Sequence, residues 1–251
     1  MSDAKELQVE LKQDVAEAIQ KATREKAVRI ERFVAEQNKK LLDEIRPKLK
    51  DVKGFWTVAL LNHPLLNARV SAVSDRDALQ HLRDIELVQD PKDPREYELV
   101  FHFDENPYFT NKTLSKKYSL PSGVESGPTD GTISEAQLEF DDDDLVAGVT
   151  TIDWKPEHDL IAKHPRGEPT EDAEDFEGDP GSFFHYFTLE GDADQIGTVV
   201  QDILQDPLEA FEGGDMGEFD FDEDEDDEDD EEGSIDLEEE EEPKKKKQRK
   251  D

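Results

Sequence analysis

The chain lacks cysteine and is poor in apolar residues and in bases. Only 33% of its 251 residues are apolar, and 67 Asp and Glu outnumber 30 Lys and Arg, which leaves a formal charge of −37. The absence of cysteine excludes disulfides, thiolate metal sites and cysteine nucleophiles. So acidic a surface repels nucleic-acid phosphates, so we expect strongly basic partners and no direct binding of nucleic acid by the acidic body.

Long apolar segments are missing as well. No stretch approaches the roughly 18 apolar residues of a membrane-spanning helix, and the N-terminus, Met-Ser-Asp-Ala-Lys-Glu, has no apolar run of signal-peptide length. These features predict a soluble intracellular protein without a membrane partner.

Motifs that carry catalysis are also absent. The sequence has no Gly-rich phosphate loop, no His-Glu-x-x-His and no Gly-x-Ser-x-Gly. The six histidines are scattered, and carboxylate pairs are expected by chance among 67 acids. We therefore predict no enzymatic activity, no catalytic residues, no metal site and no cofactor.

Glycine and proline are absent from Lys5 to about Arg46, which favours one long helix of roughly 60 Å. Apolar residues recur there at spacings of three and four: Leu7, Leu11, Val15, Ala18, Ile19, Ala22, Ile30, Phe33, Val34, Leu41, Leu42 and Ile45. We predict that two such helices pair in a homodimer, with an interface formed by Leu11, Val15, Ile19, Ala22, Ile30, Phe33 and Leu41. The alternative is a helix packed on its own domain or broken near residues 24–26. Pro47 should kink or end it.

A globular domain is predicted to begin after residue 52, because a run of mostly aromatic and apolar residues follows Gly54. Ser74 resembles the N-cap of a short helix reaching about Arg83. Strands are predicted at 85–89 and 97–103, which pair as an antiparallel hairpin, and further strands at 114–120 and 148–154. An amphipathic helix is predicted at 195–204. We expect residues 53–211 to form an α+β domain with an antiparallel sheet.

Acidic residues concentrate in two places. Residues 121–148 are rich in Gly, Pro, Ser and Asp and are interpreted as an acidic insertion. Residues 212–251 hold 22 acids and 6 bases and are predicted to form a disordered acidic tail. The tail ends in a basic cluster that is typical of a nuclear import signal read by an importin: Lys244, Lys245, Lys246, Lys247, Arg249 and Lys250. The alternative is a cluster that balances charge by folding back on the acids.

Several blocks together resemble the nucleosome assembly protein family. They are the long first helix, Gly54-Phe55-Trp56, Leu61-Asn62-His63-Pro64, the block 103–118 that opens Phe-Asp-Glu-Asn-Pro-Tyr-Phe, Ile152-Asp153-Trp154-Lys155, Ser182-Phe183-Phe184-His185-Tyr186-Phe187 and the acidic tail. The resemblance spans about residues 5–211.

This resemblance implies a homodimer in which two long dimerisation helices, residues 1–52, pair antiparallel. Each helix carries an α+β "earmuff" domain, residues 53–211. It implies a nuclear histone chaperone that binds core histones and promotes nucleosome assembly and disassembly on chromatin, and it permits shuttling to the cytoplasm. It also permits an alternative, an inhibitor of a protein phosphatase or an acidic signalling scaffold.

Within the chaperone interpretation, acids beside the last predicted helix and in the insertion are the expected histone contacts: Asp202, Asp206, Glu209, Asp141, Asp142, Asp143 and Asp144. The alternative for each of them is that it only solvates the fold.

Overall fold

The computed structural model describes residues 11–128, 130–141, 144–167 and 179–214. Its first element, α1, spans Gln13–Leu49, which at 1.5 Å per residue is about 55 Å of helix. The helix runs through residues 24–26 without a break. Pro47 lies in the last turn, and the helix ends two residues later, as expected of a residue that cannot donate a backbone hydrogen bond.

Three short helices follow α1: α2 (Phe55–Asn62), α3 (Pro64–Arg69) and α4 (Val73–Leu79). Gly54 precedes α2 with φ of 79°, a left-handed conformation that glycine adopts without strain. The predicted N-cap at Ser74 is wrong: Ala72 occupies that position, and the Ser74 hydroxyl contacts His164 Nε2 at 3.0 Å. The helix also ends at Leu79 rather than near Arg83, because β1 begins at Leu82.

Four antiparallel strands form one sheet in the order β1-β2-β3-β4. They are β1 (Leu82–Asp90), β2 (Asp93–Phe103), β3 (Thr113–Ser119) and β4 (Val146–Ala147). The predicted hairpin is confirmed, with Leu87 opposite Leu99 and Asp90 opposite Asp93. The strand expected at 148–154 is wrong. The chain there makes one isolated bridge, between Trp154 and Phe109. Its backbone bonds otherwise go to separate places, among them Lys117 of β3 and Phe187, rather than to one neighbouring strand.

The remaining helices are short except for α8. They are α5 (Glu135–Leu138), α6 (Leu160–Lys163), α7 (His185–Thr188), α8 (Ile196–Gln205) and α9 (Pro207–Glu212). The amphipathic helix expected at 195–204 is confirmed as α8. The sequence analysis missed α9, in which Asp206 accepts the N–H of Glu209 and Pro207 occupies the first turn, a favourable helix start. Phe211 of α9 stacks on Phe55 with ring centres 4.8 Å apart.

The core lies on one face of the sheet and is largely aromatic. Phe101 meets Phe187 edge to face at 5.1 Å, and Phe109 contacts both Phe184 and Trp154. Trp56 is also fully buried. Edge-to-face ring contacts add roughly 0.5–1.5 kcal/mol to the burial of apolar area. The core therefore joins the sheet to the segments that follow it, so residues 51–214 behave as one domain, called the body below.

Candidate functional site

Helix α1 has two apolar faces, and the part of the chain that the structure describes covers one of them. Val28, Ala35 and Leu42 are buried, and α1 contacts β1, β2, α5 and α8 of the body. These three residues recur every seven positions, which keeps them on one side of a helix. The single apolar stripe expected from the sequence is therefore wrong in one respect: Leu42 and the half-buried Ile45 belong to the body face.

Six of the predicted dimer-interface residues lie on the opposite, exposed face of α1, and the seventh, Leu11, lies two residues before the helix begins. Phe33 exposes 62% of its surface and Leu11 exposes 61%. The others are exposed too: Val15, Ile19, Ala22, Ile30 and Leu41. An apolar stripe that runs for most of a 55 Å helix is larger than the scattered apolar residues that monomers expose.

Part of the predicted acidic insertion is a brace that joins the sheet to α1. We call residues 124–140 the brace. At its sheet end, Arg95 lies almost fully buried and pairs with Asp93 at 2.7 Å. Arg95 also donates to the carbonyls of Ala136 and Glu125, and Asp93 accepts the N–H of Gly127. These contacts neutralise the buried charge and tie Glu125, Gly127 and Ala136 of the brace to β2.

At its helix end, the brace is held by Arg32 of α1. The Arg32 guanidinium donates to the carbonyls of Gly131 at 2.8 Å and Thr132 at 3.0 Å, and to Gln137 Oε1 at 3.1 Å. Lys21 forms an exposed ion pair with Glu135. The brace therefore contacts α1 ahead of Arg46, which donates to the carbonyl of Ile85 in β1.

The sequence analysis did not find the brace, although one local signal was present. Gln137 Oε1 accepts the N–H of Ser134 at 3.1 Å, and Ser-x-x-Gln is a known helix-start pattern. The composition of this segment, which is dominated by Gly, Pro, Ser and Asp, instead indicated an acidic insertion. Nothing in the local sequence indicates that Arg32, about 100 residues earlier, supplies the anchor.

The three acids predicted beside the last helix have different surroundings. Asp202 is half-buried on α8, accepts from Gln205 Nε2 at 3.1 Å, and has its pKa raised by burial. Asp206 caps α9. Glu209 is exposed in the first turn of α9. Of the three, Asp206 has a clear structural function, whereas Glu209 is the most accessible to a partner.

The predicted acidic run is only partly described. Asp141 and Asp144 are exposed, and the N–H of Asp144 donates to the carbonyl of Asp141 at 3.0 Å. Asp142 and Asp143 lie outside the described residues. The run comes directly after the brace, whose last residue, Phe140, has its ring 5.2 Å from the Arg95 guanidinium carbon.

A polar groove of about 520 Å³ lies between the sheet and α8, lined by Tyr97, Tyr118, Asp192 and Gln201 among others. Asp192 accepts the N–H groups of Ile196 and Gly197 and the hydroxyl of Tyr118. Burial and the neighbouring Tyr186 and Asp192 raise the pKa of Tyr118 well above its usual range, so the phenol stays protonated. The cation of this groove, Arg95, is already paired with Asp93, so the groove offers carboxylate and amide oxygens to a ligand.

A second buried polar cluster anchors α4 to the segment before α7. Asp75 accepts the Ser182 hydroxyl at 2.8 Å and the N–H of Phe183 at 2.7 Å. Burial raises the pKa of Asp75, although both hydrogen bonds oppose that rise. Ser74 contacts His164, but the neighbouring carboxylate, that of Asp75, is hydrogen-bonded to Ser182 and Phe183. The cluster therefore holds two segments together, and among the described residues no group of three or more His, Asp or Glu is arranged to hold a metal.

The comparison with family models decides the classification. The nucleosome assembly protein model matches residues 3–246, nearly the whole chain. The chain belongs to the nucleosome assembly protein family. This family is a family of histone chaperones, and the α+β fold of the chain, with its long first helix and antiparallel sheet, confirms the expected fold class.

Individual proteins similar to this chain agree with this classification. Protein SET of Drosophila melanogaster is 27% identical over 213 residues, which are 81% of this chain and 71% of that protein. NAP1-related protein 1 of Arabidopsis thaliana is 28% identical and covers 78% of this chain. For human Protein SETSIP, 28% identical, the match spans only about half of that protein, 51%.

Solved structures support the fold alone. A nucleosome assembly protein from Plasmodium falciparum matches with a TM-score of 0.54 and 17% identity over 80% of this chain and 91% of the other. Ccp1, as a mutant, matches with a TM-score of 0.53 and 20% identity over the same shares of both chains.

Two further predictions concern a membrane-spanning helix and the basic cluster of the tail. None of the helices described is long and apolar enough to cross a membrane. The basic cluster at Lys244, Lys245, Lys246, Lys247, Arg249 and Lys250 lies outside the described residues, as does most of the acidic tail.

Proposed function

We propose that this chain is a histone chaperone that binds basic core histones through the acidic surface of its body and its acidic tail, and promotes nucleosome assembly and disassembly. The observation that carries the proposal is how the body uses its charges. Residues 51–211 hold 35 acids and 12 bases, a net charge of −23. Several of the bases bond to groups within the body, whereas a set of acids faces outward.

The internal use of the bases is specific. Asp194 accepts two hydrogen bonds from Arg166, at 2.9 and 3.1 Å, and pairs with Arg69 at 3.1 Å. Lys116 and Lys155 donate to the carbonyls of Leu189 and Asn106. By contrast, a set of acids of the described body is exposed and forms no ion pair there: Glu105, Glu157, Glu190, Glu209 and Glu212.

Such a surface captures a basic partner without catalysis. Each exposed ion pair contributes at most about 1 kcal/mol, but many together give fast and salt-sensitive association. DNA offers a denser array of negative charge than the chaperone does, so histones pass to DNA when both are present. We assign the groove beside α8 and the neighbouring acids Asp202, Asp206 and Glu209 to this surface, together with Asp141, Asp142, Asp143 and Asp144.

We also propose that the working unit is a homodimer joined by the exposed face of α1. Residues 1–52 then form the dimerisation helix, 53–211 the histone-binding domain, and 212–251 a tail whose basic end serves as a nuclear import signal for an importin. The exposed apolar side chains of α1, Phe33 and Ile19 above all, support this arrangement.

The test is sedimentation of the protein alone, with purified core histones at moderate salt, and then with added DNA. We expect a dimer that forms a complex of defined stoichiometry and gives up its histones to DNA. Polyglutamate of matched charge serves as the control for generic polyanion behaviour. If the protein behaves like polyglutamate, the proposal fails, and assaying a protein phosphatase with the protein added then tests the alternative of phosphatase inhibition.

The contribution of the tail is tested separately by a deletion that begins at Asp215. A deletion from Glu212 would remove the end of α9 and its cap, Gly213, which adopts φ of 72°. Removing residues 215–242 should weaken histone capture, most strongly at low salt, and leave the dimer mass unchanged. Unchanged capture at low salt would contradict a role for the tail.

A further inference from the structure

A basic cleft lies beside the end of α1, where β1 begins and β2 ends. It consists of two hollows of about 560 and 380 Å³ that share the side chain of Arg83. Five cations and three acids line them, although residues 51–211 hold 35 acids and only 12 bases. The cations are Arg46, Lys50, Arg83, Lys112 and Lys155. The cleft is therefore a positive surface on an acidic protein.

The position of Arg83 depends on an irregularity in β1. Leu82 lies opposite Phe103 and Asp84 lies opposite His102, so Arg83 is an additional residue with nothing opposite it on β2. A bulge of this kind re-aims a side chain relative to a regular strand. Because Arg83 lines both hollows, the bulge supplies the cation at the centre of the cleft.

Three of the five cations are available to a ligand. Arg83 approaches Asp104 at 3.9 Å, and the two side chains remain 50% and 57% exposed. Lys50 and Lys112 are exposed and form no ion pair within the described residues. Arg46, by contrast, pairs with two acids of β1 at 3.4 and 3.6 Å. A ligand can therefore meet three positive charges without first breaking a close ion pair.

The loop that leads from β2 to Lys112 is fixed by hydrogen bonds. The Nδ2 of the buried Asn106 donates to the carbonyl of Ala78 at 3.0 Å, and its Oδ1 accepts the N–H of Tyr108 at 3.0 Å. Lys155 Nζ donates to the carbonyl of Asn106 at 2.7 Å. Binding to a site that is already ordered costs less conformational entropy than binding to a loose one. The cleft is therefore formed before a ligand arrives.

We propose that this cleft binds a short acidic segment of a partner protein. Carboxylates of the segment pair with Lys50, Arg83 and Lys112. An aliphatic side chain of the segment packs against Pro47 and Leu49, which line the smaller hollow. Charge complementarity decides this choice, because a basic partner such as a histone meets like charge here. The proposal adds a second partner of opposite charge and does not depend on the proposed function.

The cleft and the groove assigned to histones lie toward opposite ends of β2. Arg95 lines the groove, and Phe103, the last residue of the strand, lines the cleft. Eight residues of strand separate them by about 27 Å, which exceeds the Debye length of about 8 Å at physiological salt. A histone and an acidic segment can therefore occupy the same body at one time.

A nucleic-acid duplex fits the cleft less well than a short peptide does. A duplex carries one negative charge per about 1.7 Å of its axis, and it continues past the cleft across a body of net charge −23. A peptide of about seven residues extends over at most roughly 25 Å. Its charges therefore stay beside the cations of the cleft, and repulsion by the rest of the body is smaller.

The experiment measures peptide binding to the full-length protein by fluorescence anisotropy at low salt. The probe is a fluorescein-labelled peptide, Glu-Asp-Glu-Leu-Glu-Asp-Glu, and its control is Gln-Asn-Gln-Leu-Gln-Asn-Gln. We expect the acidic peptide alone to bind, and its affinity to fall as salt is added. Replacing the leucine of the probe by glycine should weaken binding further, and an unchanged affinity would overturn the apolar contact.

Two triple variants test where the peptide binds. The cleft variant removes the three available charges: Lys50→Ala, Arg83→Ala and Lys112→Ala. The control variant removes three exposed lysines that do not line the cleft: Lys92→Ala, Lys117→Ala and Lys163→Ala. Each exposed ion pair changes affinity by at most about fivefold, so the cleft variant should bind roughly tenfold more weakly. The control variant should stay within about twofold of the wild type, and circular dichroism checks that both variants are folded.

Four results would overturn the proposal. They are no binding of the acidic peptide, equal weakening by both variants, displacement of the peptide by duplex DNA that binds more tightly and needs the same three cations, and binding only after removal of residues 215–242. The third would assign the cleft to nucleic acid and the fourth to acids of this chain. Histone capture should not weaken in the cleft variant, so failed capture by the wild type would overturn the proposed function and leave the cleft standing.

Discussion

Leu41 and Leu42 are adjacent in the sequence and identical in chemistry, yet they belong to different interfaces. Leu42 exposes 3% of its surface because it packs on the body, whereas Leu41 exposes 36% on the opposite face of α1. The body face and the outer face of this helix are equally apolar in pattern. The two faces differ in what covers them. The body of the same chain covers the face of Leu42, and in our proposal a second chain covers the face of Leu41.

The largest effect is expected from placing charge on the outer face alone. Ile30→Asp combined with Phe33→Asp puts four carboxylates into the proposed dimer interface, each costing several kcal/mol if buried. We expect a monomer in sedimentation whose body still unfolds cooperatively. Wild-type mass in this variant would show that the outer face is not the interface.

Removing Arg95, which holds the sheet end of the brace, should be the next largest effect. Arg95→Ala leaves Asp93 buried without its cation, so we expect a loss of about 3–5 kcal/mol of unfolding free energy. Urea unfolding measures it. Arg29→Ala is the matched control, because Arg29 pairs only with the nearby Glu25 on the helix surface, and such pairs contribute at most about 0.5 kcal/mol.

The two leucines give the most direct comparison. Leu42→Ala should cost about 3 kcal/mol of body stability through lost burial and a residual cavity, independent of protein concentration. Leu41→Ala should leave body stability within about 0.5 kcal/mol and weaken dimerisation. Unfolding curves at two protein concentrations separate the cases, and equal effects of both variants would refute the assignment of the two faces.

Acid should weaken the body before it weakens the helix pair. Burial lowers the pKa of both His63 and His185 below the usual 6.5. The two histidines therefore take up protons more readily in the unfolded chain than in the folded protein. Their contribution to the free energy of unfolding is complete above pH 6.5 and is lost as the pH falls through the pKa values of the folded protein. Helix α1, Gln13–Leu49, contains no histidine. We expect unfolding curves between pH 7.5 and 5.5 to shift, with His63→Gln and His185→Gln each reducing the shift, while the dimer mass stays constant.

Single surface acids should have the smallest effect. Glu209→Gln should weaken histone capture by less than about 1 kcal/mol at moderate salt and leave stability unchanged. Asp206→Ala should also destabilise α9, because it removes a helix cap worth about 1 kcal/mol. Titrations with histones, together with thermal unfolding, distinguish a residue that binds from one that supports the fold.

The elements that local patterns specify were predicted well. The length of α1, the β1–β2 hairpin and α8 each follow from periodicity and turn residues within one segment, so the sequence is sufficient for them. The apolar positions of α1 were also identified, but periodicity alone cannot assign Leu42 to one neighbour and Leu41 to another. That assignment depends on where the body lies.

The brace and the acid surface were harder to predict for a related reason. Arg32 and Arg95 meet residues 124–140 across about 100 and 30–41 positions, and no local rule connects them. Asp202, Asp206 and Glu209 share a short stretch of sequence, yet one is half-buried, one caps a helix and one faces water. Composition predicted an acidic surface but not the surroundings of each carboxylate.

The position of the aromatic core gives the protein a built-in optical readout. Its two tryptophans, Trp56 and Trp154, both lie in the body, Trp56 fully buried and Trp154 packed against Phe109 and Phe184. The long helix has none. Intrinsic fluorescence will therefore follow the melting of the body, whereas far-ultraviolet circular dichroism will also follow the rod, so one heating experiment can separate the two without any label.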